Sequence, residues 1–171
     1  QMTSWRSSGD LADDTRTTVY SKGKNSALSV TNTADEVATQ PLILVVDDSV
    51  SARKLVVRSL NRFPVRVIEA NDGRQALQLL KSHRFTAIFS DLEMPHVDGL
   101  QLLADVRSRD SLRDTPFTMI TSRQEEEYSS KAINLGVTRY LNKPVKDSEL
   151  DLVLLEVPSL AALVSSSTQS D

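Results

Sequence analysis

Leu42-Ile43-Leu44-Val45-Val46 is an unbroken apolar run that stops at a pair of acids, Asp47-Asp48. It is too short for a buried helix and rich in branched side chains. Such a run is a strand covered on both faces, which is the signature of a parallel sheet. A parallel sheet needs a crossover after every strand, so helical segments must separate the runs. The rest of the chain meets that demand.

Asp47-Asp48-Ser49 offers N-cap side chains to a helix over about 49 to 62, with Ala52, Val56, Leu60 and Phe63 facing the sheet and Arg53, Lys54 and Arg58 off that stripe. Pro64 stops it. Val65 to Ala70 alternates like a half-covered edge strand, and Asn71-Asp72-Gly73 turns into a helix over 74 to 82 with Ala76, Leu77 and Leu80 inward. Thr86 to Ser90 is a third strand, delivering Asp91 at its exit. A loop at 94 to 99 leads to a helix over about 99 to 109 that buries Leu100, Leu103 and Val106. Phe117 to Ser122 is the fourth strand, and Glu125 to Leu135 a helix closed by Gly136 at C′. Val137 to Leu141 is the fifth strand, before Asn142-Lys143-Pro144. The last helix starts near Asp147 or Ser148 and runs to about Val157, where Pro158 ends or kinks it and leaves 160 to 164 as an extra turn. Five strands alternating with five helices predict an α/β, doubly wound parallel sheet with right-handed crossovers.

The organised part spans 41 to 164. Before it, residues 1 to 40 hold thirteen Ser or Thr and few large aliphatics, so they read as a flexible linker or tail. Within that segment Thr17 to Tyr20 has strand propensity and Ala34 to Ala38 suits a helical turn. Residues 165 to 171 are a polar tail. With a net charge of -3, no nucleic-acid surface is indicated. The chain has no cysteine, which excludes disulfides and thiolate metal sites. No apolar stretch approaches the roughly 18 residues of a membrane span. These features fit a soluble cytoplasmic protein.

In open parallel sheets, ligands bind beyond the carboxyl ends of the strands. Polar residues collect at those ends: Asp47 and Asp48, Asp91, Thr121 and Ser122, then Lys143. Three carboxylates in one pocket repel unless a hard cation shares them, and an oxygen-only donor set suits Mg²⁺ (or Mn²⁺). Such an ion leaves an Asp91 oxygen to attack phosphorus, Lys143 to pair with the new phosphoryl oxygens and Thr121 to donate its hydroxyl to another.

The strings Leu-Val-Val-Asp-Asp-Ser (44–49), Ser-Asp-Leu-Glu-Met-Pro (90–95) with Asp98-Gly99, Thr121-Ser122 and Tyr-Leu-Asn-Lys-Pro (140–144) make residues 41 to about 157 resemble a response-regulator receiver domain of two-component phosphorelays. The resemblance implies a flavodoxin-like sheet of order 2-1-3-4-5. It implies that Asp91 is the phosphorylated aspartate, Asp48 a direct metal ligand, Asp47 a ligand acting largely through water, and the Glu93 backbone carbonyl a further ligand. Thr121 and Lys143 match the switch hydroxyl and the family lysine, Tyr140 matches the switch aromatic, and Lys143-Pro144 matches a bond usually cis. The implied partners are a phosphodonor histidine kinase or its His-containing domain, and a downstream protein at the face formed by the fourth helix, fifth strand and fifth helix. The strings at 47–54, 119–123 and 135–141 resemble receivers fused to the C-terminus of chemotaxis-type hybrid histidine kinases, with the leader as interdomain linker.

Glu93 and Arg123 follow Asp91 and Thr121 by two residues each, so both side chains overhang the pocket. An ion pair between them would obstruct the hydrolytic water and prolong the phosphorylated state. Two alternatives stay open: a receiver-like docking module that no longer uses phosphate, and an aspartyl-phosphate small-molecule phosphatase with Glu93 as its general acid.

Overall fold

The computed structural model describes residues 34–167. The elements run α1 (Ala34–Thr39), β1 (Leu42–Val46), α2 (Val50–Leu60), β2 (Arg66–Ala70), α3 (Gly73–Ser82), β3 (Ala87–Asp91), α4 (Gly99–Ser108), β4 (Phe117–Thr121), α5 (Glu126–Asn134), β5 (Arg139–Asn142), α6 (Asp147–Leu155) and α7 (Pro158–Ser167). All strand pairs are parallel, in the order β2-β1-β3-β4-β5.

Alternation along the strands feeds two cores. Leu42, Leu44 and Val46 of β1 join Ala76 and Leu80 of α3 and Leu102, Leu103 and Val106 of α4. Ile43 and Val45 join Val56 and Leu60 of α2, Leu150 and Leu154 of α6, and Leu160 and Val164 of α7 on the other face. Both faces of β1 are therefore covered, as its unbroken apolar run requires, and each large aliphatic buried this way contributes about 1.5–3 kcal/mol. At the sheet edge, β2 is half-covered along most of its length. Side-chain caps set the helix starts: Ser49 Oγ accepts from Ala52 N–H (3.3 Å), Asp72 from Gln75 (2.8 Å), and Asp98 and Gln101 form a reciprocal capping box.

Three expectations are corrected. Seven helices, not five, lie among the described residues. One of the additions is the turn expected at 34–38, now α1. The other is α7: Pro158 starts a full helix instead of leaving one stray turn. At the first helical position a proline loses no hydrogen bond, since that N–H has no partner in the helix. Leu160 and Val164, one turn apart, then bury themselves on the second core. Ser165, Ser166 and Ser167, read as tail, belong to α7 and return their hydroxyls to backbone carbonyls of the preceding turn. The third concerns α4, which buries Leu102 and Leu103 and leaves Leu100 half-buried. The strand propensity at 17–20, most of the predicted linker, and residues 168–171 lie outside the described residues.

Candidate functional site

The strand order reverses on either side of β1, since the chain leaves it for β2 at one side and reaches β3 at the other. A crevice opens at the carboxyl ends there. Asp47 follows β1 directly, Asp91 ends β3, and the register pairs Val46 with Ser90. The two acids are thus neighbours by topology. Asp47, Asp48 and Asp91 each place a carboxylate oxygen within 4.8 Å of the others. Asp47 and Asp91 are buried, at 4% and 7% exposure, while Asp48 faces solvent.

Lys143 reaches this cluster from beyond β5. Its Nζ lies 2.8 Å from Asp47 Oδ2 and 3.2 Å from Asp91 Oδ1. The other Asp47 oxygen accepts the Ser49 N–H at 2.9 Å. Burial would lower the lysine, but its bond to Asp47 and the charges of Asp91 and Asp47 raise it on balance above its ordinary value. Burial first, and the Asp47 charge second, push the Asp91 carboxyl up to about 6 against the pull of Lys143. One ammonium therefore does not offset two buried carboxylates. The pocket is short of positive charge, and its donors are oxygens without His or Cys, so it fits a hard divalent cation.

Thr121, the last residue of β4, is fully buried, and its Oγ1 accepts the Arg123 N–H at 3.0 Å. Its carbonyl accepts the Lys143 N–H at 2.8 Å, tying β4 to the lysine's backbone. The Lys143–Pro144 bond is cis. Tyr140 is half-buried against the first core, and its hydroxyl donates to the Arg123 carbonyl at 3.1 Å. Arg123 also pairs with Glu93 Oε1 at 2.7 Å, so the two side chains meet. Thr121, Tyr140 and Glu93 are therefore joined through one residue.

Two glycines allow close approach. A Cβ on Gly99 would fall 2.7 Å from Met119 Sδ and 2.9 Å from Leu92 Cα, and would collide with the Asp91 carbonyl. A Cβ on Gly73 would meet the backbone of Val97 in the loop that follows β3. In that loop His96 takes a φ of 69°, and Val97 N–H bonds back to the Pro95 carbonyl at 2.8 Å.

Sequence reasoning missed Arg53 and Glu69. Arg53 lies off the apolar stripe that the helical spacing predicts, yet its Nη1 donates to the Asp47 carbonyl at 2.6 Å and its Nε to Glu69 Oε2 at 2.8 Å. The available signal is Glu69, the one acid of the edge strand, placed near its exit.

A family model described as response regulator receiver domain matches residues 43–154. Among curated proteins, the chain is 29% identical over 115 residues to the sensor histidine kinase CheAY of Helicobacter pylori, covering 66% of this chain and 14% of that protein. It is 31% identical over 126 residues to the transcriptional regulatory protein SrrA of Staphylococcus aureus, covering 74% of this chain and 50% of that one. The chain thus spans half or less of these curated relatives. Among solved structures, the chemotaxis protein CheY4 of Vibrio cholerae superposes with a TM-score of 0.65 at 33% identity, covering 69% of this chain and 98% of that one. The receiver domain of a sensor histidine kinase of Pseudomonas aeruginosa, which holds a magnesium ion in its active-site cleft, superposes with a TM-score of 0.64 at 26% identity, covering 69% and 97%. With the fold, the acidic crevice and the family model in agreement over the same residues, the chain belongs to the response-regulator receiver family of two-component systems.

Proposed function

We propose that this domain takes a phosphoryl group on Asp91 from a histidine kinase or its His-containing domain, in a reaction dependent on Mg²⁺ or Mn²⁺, and reports the change through its surface. The observation that carries the reading is the convergence of Asp47, Asp48 and Lys143 on the Asp91 carboxylate. Asp48 and Asp91, Asp47 through water, and the Glu93 backbone carbonyl would hold the cation, which supplies charge neutralisation at the reacting carboxylate. One Asp91 oxygen forms the new P–O bond as the donor's P–N bond breaks, and the imidazole nitrogen leaves with that electron pair and takes a proton. Lys143 pairs with the incoming phosphoryl oxygens, and Thr121 donates its hydroxyl to one of them. Replacing Asp91 by Asn is expected to abolish Mg²⁺-dependent labelling by acetyl phosphate or phosphoramidate; a variant that still takes up label overturns the assignment.

Drawing Thr121 toward Asp91 pulls on its bond to Arg123, whose carbonyl holds the Tyr140 hydroxyl. Tyr140 then turns inward and the α5–β5–α6 face changes. Ile133 on α5 and Leu152 and Leu155 on α6 are exposed, and in this reading these helices offer a downstream partner apolar groups. Likeness to CheAY and CheY4 supports a chemotaxis-type pathway. No described helix is long and apolar enough to cross a membrane, which accords with a cytoplasmic location.

In this reading the Glu93–Arg123 pair, two residues beyond Asp91 and Thr121, obstructs the hydrolytic water. Exposed pairs contribute little to stability, so the effect is kinetic. Replacing both by Ala should speed loss of label several-fold with the melting temperature nearly unchanged. An unaltered dephosphorylation rate removes the gate from the account. The same pair weakens the phosphatase alternative, because the candidate acid is already engaged by a guanidinium.

A further inference from the structure

Arg53 joins three elements that sequence places apart. Its side chain is only 12% exposed. Nη1 donates to the Asp47 carbonyl at 2.6 Å, and Nε donates to Glu69 Oε2 at 2.8 Å, at the far end of the edge strand β2. The second Glu69 oxygen accepts Lys54 Nζ at 2.5 Å. The same turn is tied once more to β2 by Asp47 N–H on the Ala70 carbonyl at 3.1 Å. The Asp47 carbonyl and the Asp48 N–H share one planar peptide unit. Holding that carbonyl fixes the plane from which the exposed Asp48 side chain departs.

We propose that Arg53, braced by Glu69, is a positioning residue for the divalent-cation site, fixing the Asp47–Asp48 peptide so that both carboxylates converge with Asp91. The inference rests on reading the acidic cluster as a cation site. Charge alone argues for the opposite effect, since a guanidinium beside a cation site repels the cation. Glu69 offsets that charge, and Lys54 and then Arg53 hold its carboxyl below the usual carboxylate range, so the counter-charge is present. The fork geometry of the guanidinium lets one side chain serve the carbonyl and the carboxylate together, which a single ammonium does not reproduce.

The two roles predict opposite signs. If Arg53 positions the turn, Arg53→Met weakens Mg²⁺ binding by about tenfold, the lower end of what removal of an outer partner of a metal ligand costs. Arg53→Lys, which keeps the charge and loses the fork, also weakens it. If Arg53 acts only through charge, Arg53→Met tightens binding and Arg53→Lys leaves it unchanged. The measurement is a Mg²⁺ titration followed by the backbone amide shifts of residues 47, 48 and 91, with melting curves in EDTA alongside. Weaker binding in both variants supports the proposal. Wild-type affinity in both overturns it, even where the melting temperature falls, because Arg53 is then a structural brace. Absence of saturable Mg²⁺ shifts in the wild-type protein instead overturns the cation-site reading itself.

Discussion

Lys143→Met is expected to lower the rate of Asp91 phosphorylation by a small phosphodonor about 10²-fold, the usual cost of removing one donor aimed at developing charge. Lys143 already contacts Asp47 and Asp91, so part of its attraction is present before reaction. The part that accelerates the step is the additional attraction to phosphoryl oxygens as they arrive. Methionine retains the apolar stem of lysine out to Cε and lacks only the ammonium, so the packing of the stem is kept. Mg²⁺ binding should not weaken, since a competing positive charge has been taken out of the pocket. Initial labelling rates at saturating Mg²⁺ check this. A rate within about threefold of wild type would mean that the lysine is only a counter-ion for Asp47 and that stabilising developing charge on the phosphoryl oxygens does not set the rate.

Gly99→Ala is the second large effect. A methyl at this position drives into the Asp91 carbonyl and against Met119 and Leu92, and two of those three neighbours are backbone that has nowhere to go. Overpacking of this kind costs about 3 kcal/mol. For a domain of this size that lowers the melting temperature by about 10 °C. Because the obstacle is the carbonyl of Asp91, the proposed phosphoacceptor, the variant should also lose labelling rate beyond what its residual folded fraction explains. Ala104→Gly, in the same helix and away from the crevice, provides the comparison: it weakens α4 by about 1 kcal/mol and leaves the per-folded-molecule rate unchanged.

The sheet was legible because each central strand is an apolar run bounded by polar residues. Five buried positions in β1 and in β3 leave no other assignment. The pocket was legible for a related reason: a parallel sheet brings all its strand exits to one edge, so Asp47, Asp91, Thr121 and Lys143 had to be near one another. Helix phase was less so. Leu100, Leu102 and Leu103 crowd one turn, and only the seating of Gly99 against Asp91 decides which of them turn inward. Pro158 illustrates a different limit. Proline ends one helix and begins another with equal ease, and the choice is made by whether Leu160 and Val164 find a core to enter. Arg53 and Glu69 were opaque because their partnership spans sixteen residues and exists only once α2 lies beside the end of β2.

Asp91 is the proposed acceptor of phosphorus, and Tyr140 the group proposed to sense it. The most direct test is a beryllofluoride titration with and without Mg²⁺, followed by residue-resolved amide shifts. The prediction is saturable binding only with Mg²⁺, with shifts at Asp91, Thr121 and Lys143 that extend to Tyr140 and α5, all absent in Asp91→Asn. Shifts that appear equally in Asp91→Asn, or that do not require Mg²⁺, contradict it.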